Sequence, residues 1–167
     1  MLKDSQIKIA DMDDGQKVVK FLKQIAQWMF DNDINQWRYL LSGGDDEEIL
    51  EAVNNKETYI VLHDDELIAT FTISENQSEW DQHIFGEDAA QDSLYLHRLA
   101  ISPELIGTGV GGELLGWIFK NITADKSFLK IDCVADNRKL NRFYRGHGFE
   151  YIGETDHHSK YQKKLYR

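Results

Sequence analysis

A chain of 167 residues, 41% hydrophobic and 29% charged, has the size and composition of one globular domain that buries about two-thirds of its unfolded surface. Its 19 Lys and Arg against 29 Asp and Glu give a net charge of −10. That argues against duplex nucleic acid or an anionic membrane surface as partner, since both require a cationic face. One cysteine, Cys133, excludes an internal disulfide and a multi-cysteine zinc site. The first twenty residues lack the apolar core of a secretory signal, and no segment approaches the roughly 18 continuous apolar residues of a membrane span. The expectation is a reduced, cytoplasmic, soluble protein in which residues 1–167 form a single domain.

In chain order, Ile7 to Ala10 reads as a short strand. Val18, Leu22, Ile25 and Met29 then recur at spacings of four, three and four, one stripe of a helix with Asp13 or Asp14 as N-cap. Gly43-Gly44 breaks the chain, and Asp45 is placed to cap a second helix through Ile49, Leu50 and Val53. Thr58 to Leu62 and Leu67 to Ile73 are rich in β-branched and aromatic residues, and the polar His63 to Glu66 between them reads as a hairpin turn. Glu75 to Asp92 is a long polar segment with six acids and no Lys or Arg. Leu94 to Ile101 is a strand leading into a glycine-rich turn and a helix from about Gly109 to Asn121. Phe128 to Val134 reads as a strand, Arg138 to His147 as a short helix, and Phe149 to Gly153 and Lys160 to Tyr166 as the last strands. This order predicts an α/β fold of α+β type: a mixed, mostly antiparallel sheet flanked by helices.

Charge is uneven along this order. Residues 1–125 hold 24 acids and 9 bases, whereas residues 126–167 hold 5 acids and 10 bases. An acidic two-thirds joined to a basic third suggests ligand groups of opposite sign.

Gly107-Thr108-Gly109-Val110-Gly111-Gly112 follows a strand and opens a helix. Glycines let successive N–H groups approach an anion, and the helix start adds free N–H groups and a positive dipole end. Phosphate or pyrophosphate is the expected ligand. Gly107, Gly109 and Gly112 also satisfy the dinucleotide pattern G-x-G-x-x-G, with Asp132 near the position of a ribose-binding acid. Three observations oppose that reading: the turn comes late in the chain, five residues separate it from its strand, and no βαβ unit precedes it. A phosphate-binding loop of the G-K-[ST] type is excluded because no glycine here is followed by Lys.

A second block, Asn137-Arg-Lys-Leu140-Asn-Arg-Phe143-Tyr144-Arg-Gly-His-Gly148-Phe149, has the form N-x-x-L-x-x-F-Y-x-x-x-G-F. Together with Leu99-Ala-Ile-Ser-Pro-Glu-Leu-Ile-Gly-Thr-Gly-Val-Gly-Gly-Glu-Leu-Leu115, it resembles the GNAT superfamily of N-acetyltransferases, which use acetyl-CoA. The resemblance is strong from about Leu94 to Gly153 and rests on element order before that. It implies a GNAT-like acyl-CoA N-acyltransferase fold, with an acceptor-side half over about residues 1–93 and an acetyl-CoA-binding half over about 94–167. It further implies that Leu99, Ala100 and Ile101 offer backbone groups to the pantetheine arm. Gly107, Thr108, Gly109, Val110, Gly111 and Gly112 would hold the pyrophosphate, Asn137 would bond the pantetheine, and Tyr144 would sit near the sulfur. Ile106 stands where such proteins usually carry Gln or Arg, which removes one side-chain donor from the cradle; Lys139 and Arg142 are candidates to replace it.

Acetyl transfer to an amine requires a deprotonated amine, a stabilised oxyanion and a protonated leaving thiolate. Tyr144 is the candidate acid for the thiolate, because a phenol and a thiol have similar pKa values, and a backbone N–H near Leu99 would meet the oxyanion. The base is open between Asp132, where some relatives carry a catalytic carboxylate, and His97, whose side-chain type titrates near neutrality. Cys133 points away from Asp132 by strand alternation and reads as a buried, inert thiol. Trp28 and Trp117 read as core. Trp37 and Trp80 fall where the resemblance places an acceptor site. His157-His158 lacks further ligands and reads as a solvated turn, so no metal is expected. The expected activity is transfer from acetyl-CoA, a co-substrate, to a primary amine in a ternary complex. The acceptor is a small molecule or peptide, cationic, with neither nucleic acid nor membrane as partner, and the protein is a monomer or homodimer. A non-catalytic acyl-CoA-binding module on the same fold is the alternative.

Overall fold

The apolar stripe expected after residue 14 is borne out in a computed structural model, which describes residues 2–122 and 124–165. Helix α1, Gly15–Asp31, buries Val18, Val19, Phe21, Leu22, Ile25 and Ala26. It follows strand β1, Gln6–Ile9, and precedes helix α2, Asp46–Asn54. Strands β2, Thr58–His63, and β3, Glu66–Ser74, form the expected hairpin. Its two-residue turn puts Asp64 and Asp65 at φ 51° and 63°, the geometry whose twist matches that of the flanking strands. Helix α3, Glu79–Phe85, comes next, then strand β4, Ser93–Ile101, and helix α4, Val110–Asn121. Strand β5, Phe128–Val134, helix α5, Arg138–Gly146, and strands β6, Glu150–Thr155, and β7, His158–Lys164, complete the order. Tyr166, expected to end the last strand, lies outside the described residues.

Hydrogen bonding orders the seven strands β1-β2-β3-β4-β5-β7-β6. β4 and β5 run parallel, whereas β1–β2, β2–β3, β5–β7 and β6–β7 are antiparallel. This is the mixed, mostly antiparallel sheet with helices that the element order predicts.

The chain divides into two compact units. One comprises the residues up to Thr72 with Arg98–Leu114, and the other Ile73–His97 with the residues from Leu115 onward. In the first unit, α1 packs on Leu40 and on Ile49 and Val53 of α2, with Ala10, Ile60 and Ala100 completing the core. In the second, strict alternation on β5 buries Leu129, Ile131 and Cys133 and turns Lys130, Asp132 and Val134 the other way. Tyr144 and Phe149 pack against each other at 5.5 Å between ring centres, and Tyr144 lies 6.0 Å from Tyr161.

Two expectations need correction. The residue before α1, Asp14, makes no side-chain cap to that helix; Asp11 instead accepts from the Asp13 N–H, and Asp14 returns a bond to the Asp11 N–H, closing a box around a short 3₁₀ turn. Likewise Asp45 makes no cap to α2, because its carboxylate is turned to Arg98 at 3.6 Å. Removing the acceptor in Asp11→Ala is expected to cost about 1 kcal/mol, lowering Tm by about 2–4 °C in a calorimetric scan.

Candidate functional site

The glycine turn sits in the first unit. Pro103 opens a 3₁₀ turn to Leu105, and the chain then passes through Gly107 at φ 84° and Gly109 at φ 90° before α4 begins. L side chains are strained at such angles, so both positions call for glycine on backbone grounds. Among the described residues, no atom lies within 4 Å of the place a Cβ would take at either residue. The open side of the turn therefore faces away from the protein, and the first N–H groups of α4 have no acceptor within their own helix. That is a fitting cradle for a phosphate anion. Ile106, 45% exposed, supplies no polar group to it. Upstream, Arg98 interrupts β4 at φ 49° and is held by its ion pair to Asp45.

The second unit gathers Trp80 and Asp81 from α3, His97 from β4, Asp132 from β5 and His158 from β7. The β4–β5 ladder ends at Tyr95 and Lys130, and His97 and Asp132 each stand two residues beyond that last pair. The Trp80 Nε1–H donates to Asp132 Oδ2 at 3.1 Å. His158 stands edge-on to the Trp80 ring, 4.8 Å between centres. His97 Nε2 lies 3.1 Å from Asp81 Oδ2. Asp81, whose side chain is 0% exposed, also accepts from the Ser78 N–H at 3.0 Å, and its own N–H donates to Ser78 Oγ at 3.1 Å.

Burial pushes the Asp132 carboxyl above its ordinary value. The Trp80 N–H, His97 and His158 pull it back, and Asp81 adds to the rise. Tyr144 is 2% exposed, enclosed by Phe143, Phe149 and Tyr161. Burial, with Cys133 and Asp132 nearby, holds its phenol well above the usual range, so it stays protonated. Cys133 is buried on the far face of β5 as expected, its thiol pushed up to about 12 by burial and then by Asp132. Asn137 Oδ1 accepts from the Leu140 N–H at 3.1 Å and so caps α5. Asn141 Nδ2 donates to Asn137 O at 2.8 Å, and Tyr161 donates its hydroxyl to Asn141 Oδ1 at 2.6 Å.

The structure thus brings His97 and Asp132, the two candidate bases, into one charge cluster. It adds Asp81 and His158, which the sequence reading missed. A solvated turn describes His157, exposed and bonded to Asp136 at 2.8 Å, but His158 is a half-buried strand residue. Trp80 is 40% exposed within the cluster, whereas Trp37 packs on the apolar core of the first unit. Of the six acids between Glu75 and Asp92, Asp81 is buried, Asp88 accepts from the Asp92 N–H, and Asp92 accepts from the Ser127 N–H; these three fix the chain rather than face solvent. Among the described residues no group of three or more His, Cys, Asp or Glu is arranged to hold a metal, and no helix is long and apolar enough to cross a membrane.

Residues 20–149 match the family described as Acetyltransferase (GNAT) family. Over 142 residues, 84% of this chain and 79% of the relative, the sequence is 35% identical to YesJ of Bacillus subtilis (strain 168), an uncharacterized N-acetyltransferase. A GNAT-family acetyltransferase from Listeria monocytogenes 4b F2365 superposes with a TM-score of 0.82 at 26% identity, covering 96% of this chain and 95% of that one. The PaiA N-acetyltransferase of Thermoplasma acidophilum, solved in complex with coenzyme A, shares the fold at TM-score 0.75 and 16% identity, covering 96% and 98%.

The raised Asp132 value carries a testable sign. With the folded value above the unfolded one, the native state binds more protons between the two. The contribution of Asp132 to stability is therefore present below about pH 4 and is lost as pH rises through the folded value. Asp132→Asn is expected to raise Tm by a few degrees at pH 7, with the gain vanishing near pH 4 in paired thermal scans.

Proposed function

The chain belongs to the acetyltransferase (GNAT) family, and on that premise we propose that it moves an acetyl group from acetyl-CoA directly to a primary amine in a ternary complex. The observation that carries this reading is the turn of the first unit, which passes through Gly107 and Gly109 at positive φ and leaves its backbone uncovered just ahead of α4. Coenzyme A in the PaiA relative supports the choice of donor. Acetyl-CoA supplies an acetyl group activated as a thioester. The Gly107–Gly112 turn and the N-terminus of α4 offer N–H groups to its diphosphate, and the backbone of Leu99, Ala100 and Ile101 is available to the pantetheine amides.

Within the cluster, Asp132 draws the cationic amine, and Trp80 orients that carboxylate through its indole N–H. His97 takes the proton, since an imidazole changes charge nearer neutral pH than a carboxylate does. Tyr144 keeps a proton on Oη for the departing sulfur. The exposed acids Glu75, Glu79 and Glu87 add a negative field that favours a cationic acceptor.

Acetyl-CoA, and not NADH, is expected to raise Tm, and free thiol is expected to appear when an amine panel is added with acetyl-CoA. Stabilisation without thiol release from any amine would point instead to an acyl-CoA-binding module. Tyr144→Phe is expected to lower kcat roughly 100–10,000-fold with KM for acetyl-CoA unchanged, read from initial rates; undiminished turnover would remove Tyr144 from the mechanism.

A further inference from the structure

We propose that Asp81 is the positioning residue of this reaction: its Oδ2 holds His97 as the Nε2–H tautomer, leaving Nδ1 with the lone pair that receives the proton of the amine. The inference rests on His97 being the proton acceptor proposed above. Oδ2 already accepts the Ser78 N–H at 3.0 Å, and in that same accepting role it takes the 3.1 Å contact from His97 Nε2 as donor. In a neutral imidazole the other nitrogen is then the acceptor. The step balances: an N–H bond of the ammonium breaks, an N–H bond forms at Nδ1, and the electron pair stays on the amine nitrogen for attack on the thioester carbonyl.

Three features separate this role from simple helix capping. Asp81 takes the third position of α3, where a carboxylate that closes a capping box ordinarily stays in water. Here it is fully buried, and its Oδ1 is without a hydrogen-bond partner among the described residues. Burying a polar carboxyl oxygen in that state costs more than a cap returns. The same Oδ2 receives both the Ser78 N–H and His97, so the bond that anchors the helix start also fixes the angle of the imidazole. The charges facing His97 come from several elements: Asp81 on α3, Asp132 on β5 and, beside Asp132, His158 on β7. Among the described residues, Asp81 is the one hydrogen-bonded to the ring.

The test combines a spectrum with kinetics. In ¹⁵N-labelled wild-type protein, long-range ¹H–¹⁵N correlations of neutral His97 should show a protonated Nε2 and a bare Nδ1; a majority Nδ1–H form overturns the proposal. Asp81→Ala should lower kcat about 10–100-fold, leave KM for acetyl-CoA within about twofold, and cost nothing further in a His97→Gln background. Ser78→Ala removes only the Oγ that receives the Asp81 N–H, keeps the backbone N–H on Oδ2, and should keep kcat. Equal losses in Asp81→Ala and Ser78→Ala, or multiplying losses in the Asp81→Ala/His97→Gln double variant, would reduce Asp81 to a cap and overturn the proposal. Should Asp81→Ala fail to fold, the wild-type spectrum decides. Full activity in His97→Gln overturns the choice of base instead, and the spectrum still reports whether Asp81 sets the ring.

Discussion

A carboxylate shut away from water organises the second unit. Asp81 is tolerable in the interior only because donors meet it: the Ser78 N–H on one side and the His97 ring on the other. Each of those bonds constrains a different element. The first starts α3 where it starts, and the second joins that helix to β4. Trp80, one residue earlier on α3, is then placed to reach Asp132 on β5 and to meet the ring of His158 on β7. Two strands are tied to a seven-residue helix by hydrogen bonds and a third by a ring-edge contact.

The first unit concentrates left-handed backbone angles in β4 and in the glycine turn that follows it. Arg98 holds a left-handed angle inside a strand, a conformation that costs a non-glycine residue roughly 1–2 kcal/mol, and its guanidinium is kept in place by Asp45. Nine residues later the chain turns twice more through left-handed angles, now with glycine. The contrast is physical. At Arg98 the side chain has a partner to justify the strain, whereas at Gly107 and Gly109 the useful property is an uncovered backbone.

What could be read from the residues depended on whether one signal dominated at each position. The α1 stripe, the β2–β3 hairpin and the alternation on β5 follow from apolar spacing, and their boundaries fall within a residue or two of expectation. Helix α3 was hidden because its inward-facing side chains include Asp81, so the apolar period that marks a helix is broken by a buried carboxyl group. A signal was present in Ser78 and Asp81, spaced as a capping box, but with Asp in place of the usual Glu or Gln. His158 was missed for a different reason: its neighbour His157 does lie in a turn, and only the register of β7 against β5, with Val134 opposite His158, takes His158 out of it. The caps of α1 and α2 went astray because several aspartates in a row are equivalent in sequence and distinct only once Arg98 and Asp11 have chosen among them.

The buried thiol of Cys133 has a use that has nothing to do with catalysis. It is the only sulfhydryl in the chain, it sits in the middle strand of the β4-β5-β7 portion of the sheet, and its ionisation is suppressed to about 12. A thiol reagent in the surrounding buffer reaches it only when that strand opens, so labelling kinetics become a clock for sub-global unfolding of the second unit. Nature has left this protein with a single-site chemical stopwatch, and ligands that tighten the strands around β5 will slow its hand without any probe having to be engineered in.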